Sequence, residues 1–212
     1  MKWIGLTGGI ATGKSTVTTE LRSRNIPVIC ADEVAKQVVL PGTKAYLKIL
    51  QDFGQEYLDD RGHLDRVKLG ALVFKDLVER KKLEAIIHPQ VHQKVQEFKQ
   101  QMLDEGQVVA IYDVPLLFEN NLESEFDLII CVYCSSENQL QRLMRRNQLS
   151  KDSALARLQA QLSIETKKTK SDYIINNDIN TNDHAKLISA EVDLFCNFLK
   201  INYGIKLDSA HK

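Results

Sequence analysis

Short apolar runs alternate along this chain with longer stretches of helical periodicity, the pattern of a mostly parallel sheet covered by helices. The runs that read as strands are Lys2–Leu6, Pro27–Cys30, Val108–Tyr112, Leu128–Tyr133 and Tyr173–Ile175. Amphipathic spacing predicts helices over Lys14–Ser23, Glu137–Arg146 and His184–Leu199. Nearly eighty residues separate the second strand from the third, too many for one crossover. They read as the helices Ala31–Val39, Lys44–Phe53, Arg66–Phe74, Leu77–Ile87 and Pro89–Leu103. Pro89 suits the first turn of the last of these, where a missing N–H costs little. The expected fold is therefore α/β, a three-layer α/β/α arrangement on a five-stranded, mainly parallel sheet with a helical insertion. Only Asp208–Lys212 reads as a frayed tail.

A length of 212 residues fits one domain with an insertion and is ample for a core. Lys and Arg number 28 and Asp and Glu 28, so the net charge is zero and no global field favours nucleic acid or an anionic membrane. No apolar run reaches membrane-spanning length, and the start of the chain lacks the pattern of a secretory signal. A cytoplasmic location is expected. Cys30, Cys131, Cys134 and Cys196 are too few and scattered for a disulfide framework. Cys131 and Cys134 form a C-x-x-C, but inside an apolar strand run rather than at a helix start, so they read as core.

The chemistry begins directly after the first strand. Gly8-Gly-Ile-Ala-Thr-Gly-Lys-Ser15 matches G-x-x-x-x-G-K-[ST] in full. In that motif glycines let successive backbone N–H groups converge on phosphate oxygens, the lysine reaches the β- and γ-phosphates, and the serine hydroxyl ligates Mg²⁺. Gly9, Ile10, Ala11, Thr12, Gly13, Lys14, Ser15 and Thr16 are the expected contacts of a nucleoside triphosphate, and the helix they open points its positive end at the anion.

What becomes of the γ-phosphate needs further signals. Thr169-Lys-Ser-Asp172 and Asp59-Asp-Arg-Gly62 match GTPase patterns literally, yet neither follows an apolar strand run. A small-molecule kinase needs an acid near the acceptor hydroxyl, an acceptor pocket and cations on the transferring group. Asp32 follows the second strand, where it either serves an acceptor hydroxyl or caps the helix Glu33–Val39. Asp113 ends the third strand, the place for a magnesium-holding carboxylate or for a local cap. Val114-Pro-Leu-Leu-Phe-Glu119 then either lines an acceptor pocket or is core under the insertion. His88 and His92 have the i, i+4 spacing of a zinc pair without the accompanying glutamate or cysteines.

Neutrality hides a partition. From Arg142 to Lys170 eight basic residues face only Asp152 and Glu165, so this segment carries +6 and the remainder −6. The acids are concentrated too: Glu97–Asp127 holds eight against the single base Lys99. A basic helical segment after the fourth strand is where a closing lid would lie, its arginines reaching ATP phosphates. A kinase for another nucleotide and a nucleotide-dependent switch remain the alternatives.

An ordered series of further residues resembles one family, the dephospho-coenzyme A kinases. It comprises Leu6–Thr16, Ala31-Asp32, Ala35–Val39, Pro41-Gly42, Gly62-His-Leu-Asp-Arg66, Leu83-Glu-Ala-Ile-Ile-His-Pro89, Asp113–Glu119, Gln141-Arg-Leu143, Ala156-Arg157, Gln161 and Asp172-Tyr-Ile-Ile-Asn176. The resemblance implies a P-loop fold that transfers the γ-phosphoryl group of ATP to the ribose 3′-hydroxyl of dephospho-CoA. Asp32 would serve the acceptor hydroxyl, Lys14 and Arg142 would stabilise the transferring charge, Arg146 would join the nucleotide contacts, and Ser15 with Asp113 would hold Mg²⁺. Acceptor contacts would come from Asp32, Arg66, His88, Leu116, Leu117, Arg157 and Gln161. Residues 1–30, 108–141 and 171–207 would form the nucleotide-binding core, 31–107 the CoA-binding insertion and 142–170 the lid, in a monomer or small homo-oligomer. Two departures from the family pattern are visible: Asn147-Gln148 stands where Asp-Gly is usual, and Asn176 where an aspartate is usual.

Overall fold

A computed structural model describes residues 1–178, 184–205 and 207; the tail expected at Asp208–Lys212 lies outside them. The strands are β1 (Lys2–Gly8), β2 (Val28–Cys30), β3 (Val109–Asp113), β4 (Leu128–Tyr133) and β5 (Tyr173–Asn176). They form one sheet in the order β2-β3-β1-β4-β5. β1 pairs in parallel with β3 and with β4, and β4 in parallel with β5. Among the described residues the helices are α1 (Lys14–Arg22), α2 (Ala31–Gln37), α3 (Lys44–Phe53), α4 (Arg66–Lys75), α5 (Leu77–Asp104), α6 (Ser136–Asn147), α7 (Lys151–Gln159), α8 (Ile164–Thr169) and α9 (His184–Tyr203).

Residues 1–28 with 102–212 form one compact unit, and residues 29–101 a second. In the first, the alternation of side chains along a strand sorts the sheet into two buried faces. Ile4 and Leu6 of β1 join Ile111, Ile130 and Ile175 in a core with Val17 and Leu21 of α1 and Phe195 and Leu199 of α9. The residues between them face the other way, where Trp3 stacks on Tyr112 and Phe126. Gly5 has no room for a side chain there: a Cβ would lie 2.7 Å from Leu117 and 2.9 Å from Phe126. This is the three-layer arrangement the alternating pattern predicts.

The second unit has a small core of its own. Tyr46, Ile49 and Phe53 of α3 pack with Leu64 and Leu69, and Leu83, Ile86 and Ile87 of α5 lie against them. Thr43 caps α3, and Asp65 caps α4 by accepting from Val67 N and Lys68 N, both at 3.0 Å.

One expectation and one alternative reading fail here. Leu77–Ile87 and Pro89–Leu103 are not separate helices; α5 runs through both with Pro89 inside it. Proline removes one helical N–H and crowds the carbonyl four residues back. Pro89 and Ala85 are both exposed, so water can reach the turn that loses its hydrogen bond, and the helix continues. Asp32 is not a cap: α2 starts at Ala31 with Cys30 at the N-cap, and Asp32 stands in the first helical turn.

Candidate active site

β1 delivers its last residue, Gly8, straight into the phosphate loop, and α1 begins at Lys14. Gly13 adopts the left-handed region (φ 86°), and so does Ala11 (φ 62°), a conformation that costs a non-glycine residue about 1–2 kcal/mol. The turn is tied internally by Thr12, which is fully buried and donates its hydroxyl to Gly9 O at 2.9 Å. A Cβ on Gly9 would come within 2.3 Å of Gln139 Nε2, so a side chain there would displace the Gln139 amide.

Asn177, just beyond β5, holds the loop from behind. Its Nδ2 donates to Thr12 O at 2.6 Å, and its own carbonyl accepts from Arg142 Nη2 at 2.9 Å. Asn177 is fully buried, and its Oδ1 has no hydrogen-bond partner among the described residues. Sequence reasoning named its neighbours and passed it over; the only signal was its place directly after a strand on the P-loop side of the sheet.

Lys14 Nζ donates to Asp113 Oδ1 in a largely buried ion pair, the two side chains 15% and 5% exposed. Asp113 is thus turned to the phosphate loop. Ser15 and Thr16 lie exposed in the first turn of α1. These carboxylate and hydroxyl oxygens are hard donors of the kind magnesium prefers, usually one or two of them beside substrate phosphates. Among the described residues no three His, Cys, Asp or Glu side chains gather as a metal cluster, and His88 and His92 thus lack a third ligand there.

The arginines expected on the nucleotide divide. Arg142 is half-buried and bound to the β5 exit, whereas Arg146 lies exposed with Nε on Asn147 Oδ1 at 2.9 Å. Arg157 is exposed on α7. A cavity of about 820 Å³ opens beside the loop, its lining including Gly9, Gln139, Met144, Leu155, Leu158 and Gln161. Not all of the basic segment is available to phosphates. Lys167 is fully buried, with Nζ 2.8 Å from both Pro115 O and Glu119 Oε1. Lys168 lies over the Tyr133 ring, and Lys170 over Phe118 and against Glu123.

Two acceptor contacts expected from the sequence also move. Leu117 is fully buried against the space beside Gly5 and belongs to the core; Leu116, 39% exposed, is the one that reaches the surface. Gln161 Oε1 accepts from Ile10 N at 2.8 Å, a bond to the phosphate loop. Asp32, Arg66 and His88 belong to the second unit, all exposed. The carboxylate of Asp32 has no hydrogen bond or ion pair among the described residues.

The remaining motifs are structural. Asp172 accepts from Ile129 N at 2.7 Å, and Asp59 closes a turn by accepting from Arg61 N and His63 N, both at 2.9 Å, so neither reads a base or a γ-phosphate. Cys131 and Cys134 are free and buried. Burial pushes their thiols up to about 12 and about 11, the opposite of a reactive pair.

A parallel sheet with its first βα turn built as an anion cradle, a lysine in the cradle and an acid ending the adjacent strand define a P-loop nucleotide-binding protein. A family profile for dephospho-CoA kinases matches residues 2–183. The chain is 42% identical over 194 residues to the dephospho-CoA kinase of Listeria monocytogenes, covering 92% of this chain and 97% of that one. Its fold matches a crystal structure from Thermus thermophilus (TM-score 0.75, 31% identity, 92% of this chain and 97% of that one). It also matches the dephospho-CoA kinase of Campylobacter jejuni (TM-score 0.63, 31% identity, 92% and 95%). The chain belongs to the dephospho-CoA kinase family.

Proposed function

We propose that this chain transfers the γ-phosphoryl group of ATP to the ribose 3′-hydroxyl of dephospho-CoA, giving coenzyme A and ADP. The observation that carries the reading is the preformed cradle with Lys14 and Asp113 paired in it, in a chain of this family. The 3′-oxygen attacks the γ-phosphorus, the bond to the β,γ-bridging oxygen breaks, and the hydroxyl proton passes to the Asp32 carboxylate. Lys14, freed from Asp113 by competition with phosphate, and Arg142 offset charge on the transferring group. Ser15 and Asp113 would hold Mg²⁺, which when bound neutralises the β- and γ-phosphate oxygens. Thr16 and the loop N–H groups other than that of Ile10, which Gln161 holds, bind phosphate, with Arg146 brought in by movement of α6 and α7 as a lid that also carries Arg157 to the acceptor. Arg66, His88 and Leu116 contact the acceptor.

Exclusion of water by the lid would suppress hydrolysis of ATP. Among the described residues no helix is long and apolar enough to cross a membrane, and we place the enzyme in the cytoplasm as a monomer or small homo-oligomer with no nucleic-acid partner. A coupled assay of ADP release tests the reading. ADP should form only with dephospho-CoA present, and the product should carry a new 3′-phosphate. Equal turnover with adenosine, or ADP release without acceptor, refutes it.

A further inference from the structure

Both backbone polar groups of Ile10, the third residue of the phosphate loop, are taken by glutamine side chains from outside it. Gln161 Oε1 accepts from Ile10 N at 2.8 Å, and Gln139 Nε2 donates to Ile10 O at 2.7 Å. Gln139 lies in α6 and is only 3% exposed; Gln161 lies in the link from α7 to α8. The residue they bracket is followed by Ala11 at φ 62°. A non-glycine residue in that region persists where its surroundings over-determine it. Holding Ile10 at its N–H and its C=O does so, because the peptides on either side of its Cα can no longer rotate independently.

The link that carries Gln161 is itself fastened. Leu162 N donates to Glu119 Oε1 at 2.9 Å, and the same oxygen pairs with the buried Lys167 ammonium. Gln161 therefore stands on a fixed point where α7 ends and α8, packed on the sheet, begins. Any swing of α7 must pivot next to a side chain that shapes the phosphate loop.

We infer that Gln161 and Gln139 are a pair of positioning residues that hold the phosphate loop in its strained, phosphate-ready form, and that Gln161 couples the end of the lid to that loop rather than contacting the acceptor. This rests on the kinase reading above. The two bonds hold the peptides on either side of one Cα, so their effects fall on the same residue and should not multiply.

The test uses full-length Gln161→Leu, Gln139→Leu and the double variant in the ADP-release assay, beside the parent. Each single variant should raise the KM for ATP and lower kcat, together by about tenfold in kcat/KM for ATP, roughly the loss of one hydrogen bond, with the KM for dephospho-CoA unmoved. The double variant should be no worse than the worse single. Amide exchange at Ile10, read by NMR, should accelerate in Gln161→Leu while amides of β1 and β4 keep their protection. A raised KM for dephospho-CoA with ATP parameters unchanged, multiplying single effects, or unchanged exchange at Ile10 would overturn the inference. An inactive parent would instead strike the kinase reading.

Discussion

The Lys14 ammonium is bonded to the Asp113 carboxylate, joining the residue that opens α1 to the last residue of β3. These two elements are brought together by the β1–β3 register, in which Leu6 stands opposite Asp113. A cation of this burial is expensive to leave alone, and removing one partner of such a pair costs about 3 kcal/mol. Asp113→Asn should lower stability by about that amount in urea denaturation. Turnover should fall on the order of a hundredfold, as the carboxylate is also the proposed magnesium holder; a magnesium titration of the assay should show a higher requirement.

Asp32→Asn isolates the acceptor side. The carboxylate is exposed in the first turn of α2 and supports no cap. Stability should therefore change little, while kcat should fall on the order of 10²–10⁴-fold with the KM for ATP unchanged. A parent-like rate would remove Asp32 from the chemistry.

Gly13 has no space for a methyl group. Its Cβ would lie 2.0 Å from Asn177 Nδ2, and its φ of 86° is hostile to L side chains. Gly13→Ala should cost on the order of 3 kcal/mol in stability and abolish tight ATP binding. Asn177→Ala should weaken ATP binding less, through loss of the bond to Thr12 O, by about 1–3 kcal/mol. Calorimetric ATP titration compares the two.

The Asn147-Gln148 departure has a physical reading. Gln148 caps α6 in the left-handed region with φ 51°, the position where glycine is usual. Gln148→Gly should stabilise the chain by about 1 kcal/mol, since glycine adopts this conformation without the Cβ penalty. Chemical denaturation should show the gain with little change in the KM for dephospho-CoA. The other departure keeps its contact: Asn176 Oδ1 accepts from Asp178 N at 3.0 Å, as an aspartate oxygen would.

Alkaline pH should probe the core beside α8. Burial raises the Cys131 thiol from 9.0 to about 12, so above pH 9 the unfolded chain ionises there while the folded chain stays neutral. The contribution is complete below pH 9 and is lost as pH rises toward about 12. Cys131→Ala should flatten the decline of the melting temperature over that window, and the parent's Cys131 should resist alkylation at neutral pH.

Periodicity and short motifs were enough to place all five strands, the helices α1 to α4, α6 and α9 and the whole Gly8–Ser15 cradle, because strand alternation, helical spacing and a phosphate loop are written in neighbouring residues. The same locality explains the failures. Pro89 reads as a helix start until Ala85 is seen to share its exposed face. Leu117 and Leu116 are adjacent and equally apolar, and only packing against Gly5 sends the first inward. Lys167 counts as one more charge in a basic segment until Glu119, far away in the chain, is found beside it. Gln161 bonds Ile10 across a separation of 151 residues, and Asn177 bonds Thr12 across 165. By itself the sequence determined which elements form and that a phosphate loop opens the chain. Tertiary structure alone decided which polar side chains hold that loop, because their partners are set by closure of the sheet and its covering helices, and spacing along the chain carries no record of it.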